Sequence, residues 1–114
     1  MGTYFDQSVD YLPNSLETLE FCELSDFNQH LNNLPIGLNS LTVGYSFNQP
    51  INNLPPNLQK LKLCTKFNQP IDNLPSRLKY LHIGDQFNQT IDNLPSNLEE
   101  LIIHSNNFNQ IIDK

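Results

Sequence analysis

Apolar residues recur along this chain with a period of 20 to 22 residues. Each unit starts at a phenylalanine, and the starts are Phe5, Phe27, Phe47, Phe67, Phe87 and Phe108. Counting forward from the phenylalanine of each full unit, apolar residues occupy offsets 4, 7, 11, 14 and 16, and a proline follows the leucine at offset 7. Such a repeat predicts a solenoid. We expect residues 1–114 to form one domain of five full coils and a partial sixth that begins at Phe108.

The second half of each unit predicts a β-strand. Residues 58–63 read Leu-Gln-Lys-Leu-Lys-Leu, which fits the strand pattern of a leucine-rich repeat. Apolar and polar positions alternate at its end, so Leu61 and Leu63 should point inward and Lys60 and Lys62 outward.

The first half of each unit favours turns instead. It contains Phe-Asn-Gln, an Asn or Asp pair and Leu-Pro. The side chains of Asn and Asp form hydrogen bonds with their own backbone, which favours turns. Proline fixes the φ angle and lacks the backbone N–H donor. About 20 residues per coil leave little room for a helix. The predicted fold class is therefore a leucine-rich-repeat β-solenoid with one parallel sheet, a return side of extended or 3₁₀ turns and no substantial helix.

Two of the units carry a family resemblance. Residues 47–51 and 67–71 both read Phe-Asn-Gln-Pro-Ile, and each is followed by Asn-Leu-Pro and the strand pattern. This arrangement resembles the FNIP repeats, short leucine-rich repeats of social amoebae and of giant viruses of protists. The resemblance covers residues 5–112, and in the first unit Asp6 replaces the Asn of later units. It implies a solenoid with a binding role. Related proteins often combine such repeats with an F-box. The repeats leave no residues for an F-box here, so a ubiquitin-ligase substrate receptor would need the F-box on a separate subunit.

Composition and charge narrow the class of function. The chain has 12 acidic and 6 basic residues and a net charge of −6, which argues against binding to nucleic acid or to anionic lipid. No apolar run approaches the ~20 residues of a membrane span, and the N-terminus lacks the basic and apolar regions of a secretory signal. We expect a cytoplasmic protein, in the host cytoplasm if viral, with neither nucleic-acid nor membrane partners.

A polar column follows the phenylalanines. Its asparagines are Asn28, Asn48, Asn68, Asn88 and Asn109. One interpretation is a polar array that binds a ligand. The other, which we favour, is an internal ladder in which the amides pair with backbone groups of their own and neighbouring coils, because buried polar groups need partners. The glutamines that follow them should behave similarly, closer to the surface.

The cysteines and histidines are the candidates for chemistry. Cys22 and Cys64 share one column with Gly44 between them, so we expect the two thiols to lie two strands apart, ~9.6 Å. A disulfide needs Cα atoms within ~7 Å, and a zinc site built from these thiols with His82 and His104 would be too wide for ligands at ~2.0–2.3 Å. No Ser and Asp occupy columns that match these histidines. We predict no metal, no cofactor and no enzymatic activity.

The outward strand positions differ from unit to unit, whereas the core columns repeat. Variable side chains on a fixed scaffold are typical of a recognition surface. We predict a protein-binding module whose candidate partner-binding residues are Lys60, Lys62, Tyr80, His82 and Glu100. The alternative is a solvated face with no dedicated ligand.

The C-terminal end of the stack is a second candidate surface. Solenoid ends expose core and unpaired backbone unless they are capped. Ile102 and Ile103 are adjacent, so one must point outward, and Ile111 and Ile112 add a second apolar pair. These four residues predict self-association as a two-fold homodimer, which would make the chain a structural or self-assembling repeat protein. The alternative is a monomer whose tail folds over the edge.

Overall fold

The computed structural model describes residues 4–104, and within them five strands form one parallel sheet. The strands are β1 (Thr18–Glu20), β2 (Ser40–Thr42), β3 (Lys60–Leu63), β4 (Tyr80–Ile83) and β5 (Glu100–Ile103). They are hydrogen-bonded in chain order, one strand per repeat, so each repeat is one coil of a β-solenoid. This confirms the predicted fold class. No helix among the described residues is long and apolar enough to cross a membrane.

The strands pair in register, so every residue lies beside its counterpart in the next coil. The central inward row contains Leu19, Leu41, Leu61, Leu81 and Leu101. Side chains alternate across a strand, and burial alternates accordingly: in β3, Lys60 and Lys62 are exposed while Leu61 and Leu63 are buried. The alternation in the sequence therefore fixes which side chains face outward and which form the core.

The repeated phenylalanines form a stacked column through the core. Four of them are fully buried: Phe27, Phe47, Phe67 and Phe87. Their neighbouring ring centroids are 6.1, 6.2 and 6.3 Å apart, with interplanar angles of 2°, 6° and 3°. Phe5 continues the column at the N-terminal end, 6.0 Å from Phe27. Such pairs contribute ~0.5–1.5 kcal/mol beyond the burial of their surface. The rings of these units therefore form one continuous column, while Phe108 lies outside the described residues.

Turns and extended segments form the return side. In every full coil the N–H of the leucine at offset 11 donates to the carbonyl of the preceding proline, as from Leu58 to Pro55 at 3.2 Å and from Leu78 to Pro75 at 3.1 Å. A second turn includes the Asn or Asp pair. No 3₁₀ helix occurs in residues 4–104, so only the turn part of the expected return side is found. One i→i+3 hydrogen bond closes the turn after each proline, and the chain then extends towards the next strand.

Glycines lie where successive coils approach most closely. A Cβ on Gly44 would lie 2.4 Å from the carbonyl oxygen of Cys22, and one on Gly84 would lie 2.7 Å from the carbonyl carbon of Cys64. The strands end before these glycines, and the chain already turns there, with the Phe47 N–H donating to the Gly44 carbonyl. Gly44 is consequently buried.

Candidate functional site

The five predicted partner-binding residues lie side by side on the outer face of β3, β4 and β5. Lys60, Tyr80 and Glu100 occupy one row across the three strands, and Lys62 and His82 occupy the next outward row. Four of them are exposed, while His82 is half-buried. The register therefore brings together residues that are up to 40 positions apart in the chain.

His82 and Glu100 form a hydrogen-bonded pair within this group. The His82 Nε2 atom lies 2.7 Å from the Glu100 Oε2 atom. An ionised carboxylate can only accept, so Nε2–H donates and the Nδ1 atom of a neutral ring remains an acceptor. The strand partner of His82 is Ile102, so Glu100 reaches it diagonally. The sequence pattern predicts both residues on this face but not their pairing, although diagonal neighbours in adjacent strands lie within reach of long side chains.

Charge is segregated by coil across the outer face. The outward charged residue of β1 is Glu20, those of β3 are Lys60 and Lys62, and that of β5 is Glu100. The outward positions of β2 are the neutral Ser40 and Thr42. In register, Glu20 shares one outward row with Lys62, and Glu100 shares the other outward row with Lys60.

A shallow groove crosses the carboxyl ends of the strands. One part has a volume of about 390 Å³ and includes Glu20, and the other has a volume of about 300 Å³ and includes His82. Both parts are lined by Glu23, Lys62 and Cys64, so they are continuous. The groove extends the outer face rather than forming an enclosed pocket.

The Cys64 thiol in this groove is poorly suited to chemistry. Burial raises the pKa of the Cys64 thiol; the nearby Lys62 lowers it and Glu23 raises it further. A protonated thiol is a weak nucleophile and a weak metal ligand. Cys22 belongs to the coil of β1 and Cys64 to that of β3, and no disulfide joins them. Among residues 4–104, no three His, Cys, Asp or Glu side chains are grouped to hold one metal ion.

The repeated asparagines form a ladder inside the stack. Each Asn Oδ1 accepts the backbone N–H of the asparagine in the next coil, at 2.8 Å from Asn48 to Asn28, 2.9 Å from Asn68 to Asn48, and 2.8 Å from Asn88 to Asn68. The same oxygens accept the Nε2 groups of the next coil's glutamines at 3.1–3.2 Å. The structural interpretation of this column is confirmed for these units, and Asn109 lies outside the described residues.

A second, exposed ladder runs along the return side. The Asn33 Nδ2 group donates to Asp10 Oδ1 at 3.1 Å, and the Asn53 Nδ2 group donates to Asn32 Oδ1 at 3.3 Å. The His30 Nε2 atom lies 3.5 Å from Asp10 Oδ2. Hydrogen bonds from the Ser8 and then the Asn33 side chains, with His30 adding a smaller effect, lower the pKa of Asp10. These contacts hold adjacent coils together at the surface.

The C-terminal end of the described stack leaves part of its core uncovered. Leu98 is half-buried, whereas its counterparts Leu58 and Leu78 are fully buried. A depression of about 330 Å³ there is lined by Leu94, Leu98 and Leu101 together with polar residues that include Glu99 and Glu100.

The two isoleucines of the last strand point in opposite directions. Ile103 packs against the core, and Ile102 is aligned with the outward His82, as their adjacency predicted. Ile111 and Ile112, the other two predicted self-association residues, lie outside the described residues.

The stacked coils, their parallel strands and the in-register leucines define a leucine-rich-repeat solenoid. Residues 27–66 and 67–106 each match the FNIP Repeat family, and the chain belongs to that family. Its fold is similar to the crystal structure of CroV588, a giant-virus protein described as a novel circular LRR protein structure, with a TM-score of 0.80 and 37% identity. The similarity covers 99% of this chain and 21% of that one, so this chain spans about a fifth of its length. No curated protein matches the chain.

Proposed function

We propose that this protein is a protein-interaction module and that it binds its partner through the outer face of β3, β4 and β5. The repeat family and the leucine-rich-repeat fold support an interaction scaffold in general. The observation that carries the specific proposal is the register, which aligns side chains that differ in every coil above core columns that stay the same. A purely structural sheet needs only the constant columns.

Tyr80 is the proposed anchor of this surface. It lies in the middle of the row that Lys60 and Glu100 complete, and 38% of its surface is exposed. Aromatic side chains near the centre of an interface often contribute ~2 kcal/mol or more to binding. The hydrogen bond between His82 and Glu100 holds two of its neighbours in place, which reduces the entropy they would lose on binding.

Capture of partners from a lysate of the source cells tests the proposal. The bait variant Lys62→Glu with Tyr80→Ala reverses one positive charge and removes one aromatic ring on the face. The matched control is Arg77→Glu with Tyr11→Ala, which makes the same two changes at an exposed turn and at a tyrosine that is 97% exposed. We expect the face variant to lose the partners that the wild type and the control retain. Equal recovery by all three baits would contradict the proposal.

Self-association through the C-terminal end is the second candidate function. It is supported by the half-buried leucines and the 330 Å³ depression at that end of the described stack. A two-fold dimer would cover this surface with its own copy. Light scattering at micromolar concentration should then give twice the 13.1 kDa mass of the chain, and Ile102→Glu should return it to the monomer mass. A monomer mass for both proteins would contradict this function.

A further inference from the structure

The last strand of the described sheet has an open edge at the C-terminal end of the stack. Among the described residues, β5 pairs with β4 alone. The backbone N–H groups of Glu100 and His104 both donate to carbonyls of the β4 coil. Because the backbone of a strand repeats every two residues, the groups of the intervening residues point the other way. The N–H and C=O groups of Leu101 and Ile103 therefore face the open edge.

The apolar side chains at this edge are only partly covered. Leu101, Ile102 and Ile103 are each half-buried, whereas Leu81, the strand partner of Leu101, is fully buried. The depression of about 330 Å³ at this end of the stack includes Leu101 in its lining. An open strand edge that carries apolar side chains is a template for pairing with a further strand.

Two-fold symmetry restricts how a second copy of β5 can pair with this edge. Two strands related by an axis perpendicular to the sheet run antiparallel, and their outer faces stay on the same side. In an antiparallel pair, residues that face the edge lie opposite each other, and so do residues that face away from it. Each allowed register is therefore centred on one residue, which lies opposite its own counterpart.

The register centred on Ile102 brings matched side chains together. On the outer face, Ile102 lies opposite its own counterpart, and Glu100 lies opposite His104 of the partner subunit, so that an exposed carboxylate meets an exposed imidazole. On the inner face, Leu101 lies opposite Ile103 of the partner subunit, and these two residues form hydrogen-bonded pairs in both directions. Apolar pairs and acid–base pairs directly across two strands are stabilising.

The neighbouring registers match the side chains less well. Centring the pair on Glu100 places two carboxylates opposite each other, which is destabilising. Centring it on Leu101 places Glu100 opposite Ile102. Centring it on Ile103 places Ile102 opposite His104 and gives Glu100 no opposite residue in the described part of the chain. The strand sequence therefore favours Ile102 as the centre.

We propose that two copies of this chain pair their β5 strands in antiparallel register about Ile102, which joins the two sheets into one. His82 contacts the Oε2 atom of Glu100 at 2.7 Å, so the partner's His104 approaches the Oε1 atom. This proposal rests on the second candidate function, self-association through the C-terminal end, because it names the strand and the register of that contact.

A single-cysteine scan of the intact 114-residue chain measures the register directly. Cys22→Ser with Cys64→Ser removes the native thiols, and light scattering at micromolar concentration measures the mass of this protein. Glu100→Cys, Ile102→Cys and Ile103→Cys are then introduced one at a time, and each protein is oxidised mildly. Gel electrophoresis without reductant quantifies the covalent dimer.

We expect a covalent dimer from Ile102→Cys at least several-fold in excess of the other two variants. Opposite Cα atoms in a non-hydrogen-bonded antiparallel pair lie ~4.5 Å apart, which is within the reach of a disulfide. Residue 103 lies two positions along the strand from its counterpart, ~6.8 Å in addition to the gap between the strands, and residue 100 lies further still. Glu100 is more exposed than Ile102, so random collisions would favour Glu100→Cys instead.

The combined results separate this proposal from the function on which it rests. A dimer mass with the strongest cross-linking at Glu100→Cys or Ile103→Cys, or with none at Ile102→Cys, would overturn the register and leave self-association standing. A monomer mass with no covalent dimer from any variant would overturn both.

A charge exchange tests the pairing of Glu100 with the partner's His104. Glu100→Lys should weaken the dimer about tenfold, and adding His104→Glu should restore it, because the opposite charges then exchange strands. Glu17→Lys makes the same charge change in the β1 coil at the other end of the stack and should leave the dimer unchanged. Sedimentation equilibrium measures the three dissociation constants. A double variant as weak as Glu100→Lys, or equal weakening by Glu17→Lys, would overturn the pairing.

Discussion

The carboxylate of Asp6 accepts the backbone N–H of Asn28 at 2.8 Å, so the ladder that later coils build from asparagine starts from a charged residue. The Nε2 group of Gln29 donates to the same oxygen at 3.0 Å. Asn28 and Gln29 both donate here. An ionised carboxylate accepts these two hydrogen bonds in the same way as the amide oxygen of asparagine. The first unit departs from the repeat in sequence without breaking the hydrogen-bond pattern.

The charge of Asp6 makes this end of the ladder sensitive to acid. The hydrogen bonds from Asn28 and then Gln29 lower the pKa of Asp6 below its usual 3.8. A lowered folded-state pKa stabilises the protein above the unfolded-state pKa, and this contribution is lost as the pH falls through the folded-state value. We expect the difference in unfolding free energy between the wild type and Asp6→Asn to be constant above about pH 5. Below that pH, the wild type should lose stability relative to Asp6→Asn.

Urea unfolding of both proteins from pH 7 to pH 3 measures this difference. Asp10 and the other acidic residues are common to both proteins, so comparing the two curves isolates Asp6. Parallel curves over the whole range would contradict the assigned role of the carboxylate.

Truncation of a central phenylalanine should destabilise the stack strongly. Phe67 is fully buried between Phe47 and Phe87, so Phe67→Ala should lower the unfolding free energy by ~3–5 kcal/mol. Phe5 is half-buried at the end of the column, and Phe5→Ala should cost less. Denaturant titration monitored by circular dichroism compares the two variants. Equal losses would show that the column does not form one continuous core.

The close approach of successive coils predicts different outcomes for two glycine substitutions. Gly44→Ala would place a Cβ 2.4 Å from a backbone oxygen, and overpacking of this kind costs ~1–3 kcal/mol. Gly37→Ala meets its nearest atom, the Asn14 carbonyl oxygen, at an ordinary 3.5 Å. Neither glycine has a positive φ, so backbone strain does not separate them. Thermal unfolding should show a lower melting temperature for Gly44→Ala alone; equal melting temperatures would contradict the packing described here.

The pairing of His82 with Glu100 predicts a single imidazole tautomer. Nitrogen NMR of the neutral ring should show the proton on Nε2, because Glu100 accepts from that atom at 2.7 Å. In Glu100→Gln the amide can also donate, so the tautomer preference should weaken. A proton on Nδ1 in the wild type would contradict the pairing.

The repeat period made the architecture of this chain predictable. Apolar residues that recur at the same offset of every unit are all buried together only if the coils stack in register. The Lys60–Tyr80–Glu100 row follows from the same register. Features that break the period were not predictable in this way. The hydrogen bond from His82 to Glu100 depends on a diagonal reach, and the burial of Gly44 depends on where the chain leaves the strand.

Oxidative footprinting of two matched tyrosines tests the central claim most directly. Tyr80 lies on the proposed binding face and is 38% exposed, while Tyr45 follows the coil's strand, contacts Lys66 and is 39% exposed. The intact protein is labelled with hydroxyl radicals alone and with the partner that the wild-type bait captures, and oxidation of each tyrosine is quantified by mass spectrometry. The partner should protect Tyr80 at least several-fold more than Tyr45. Equal protection of the two rings, or protection of neither, would contradict binding through the outer face of β3, β4 and β5.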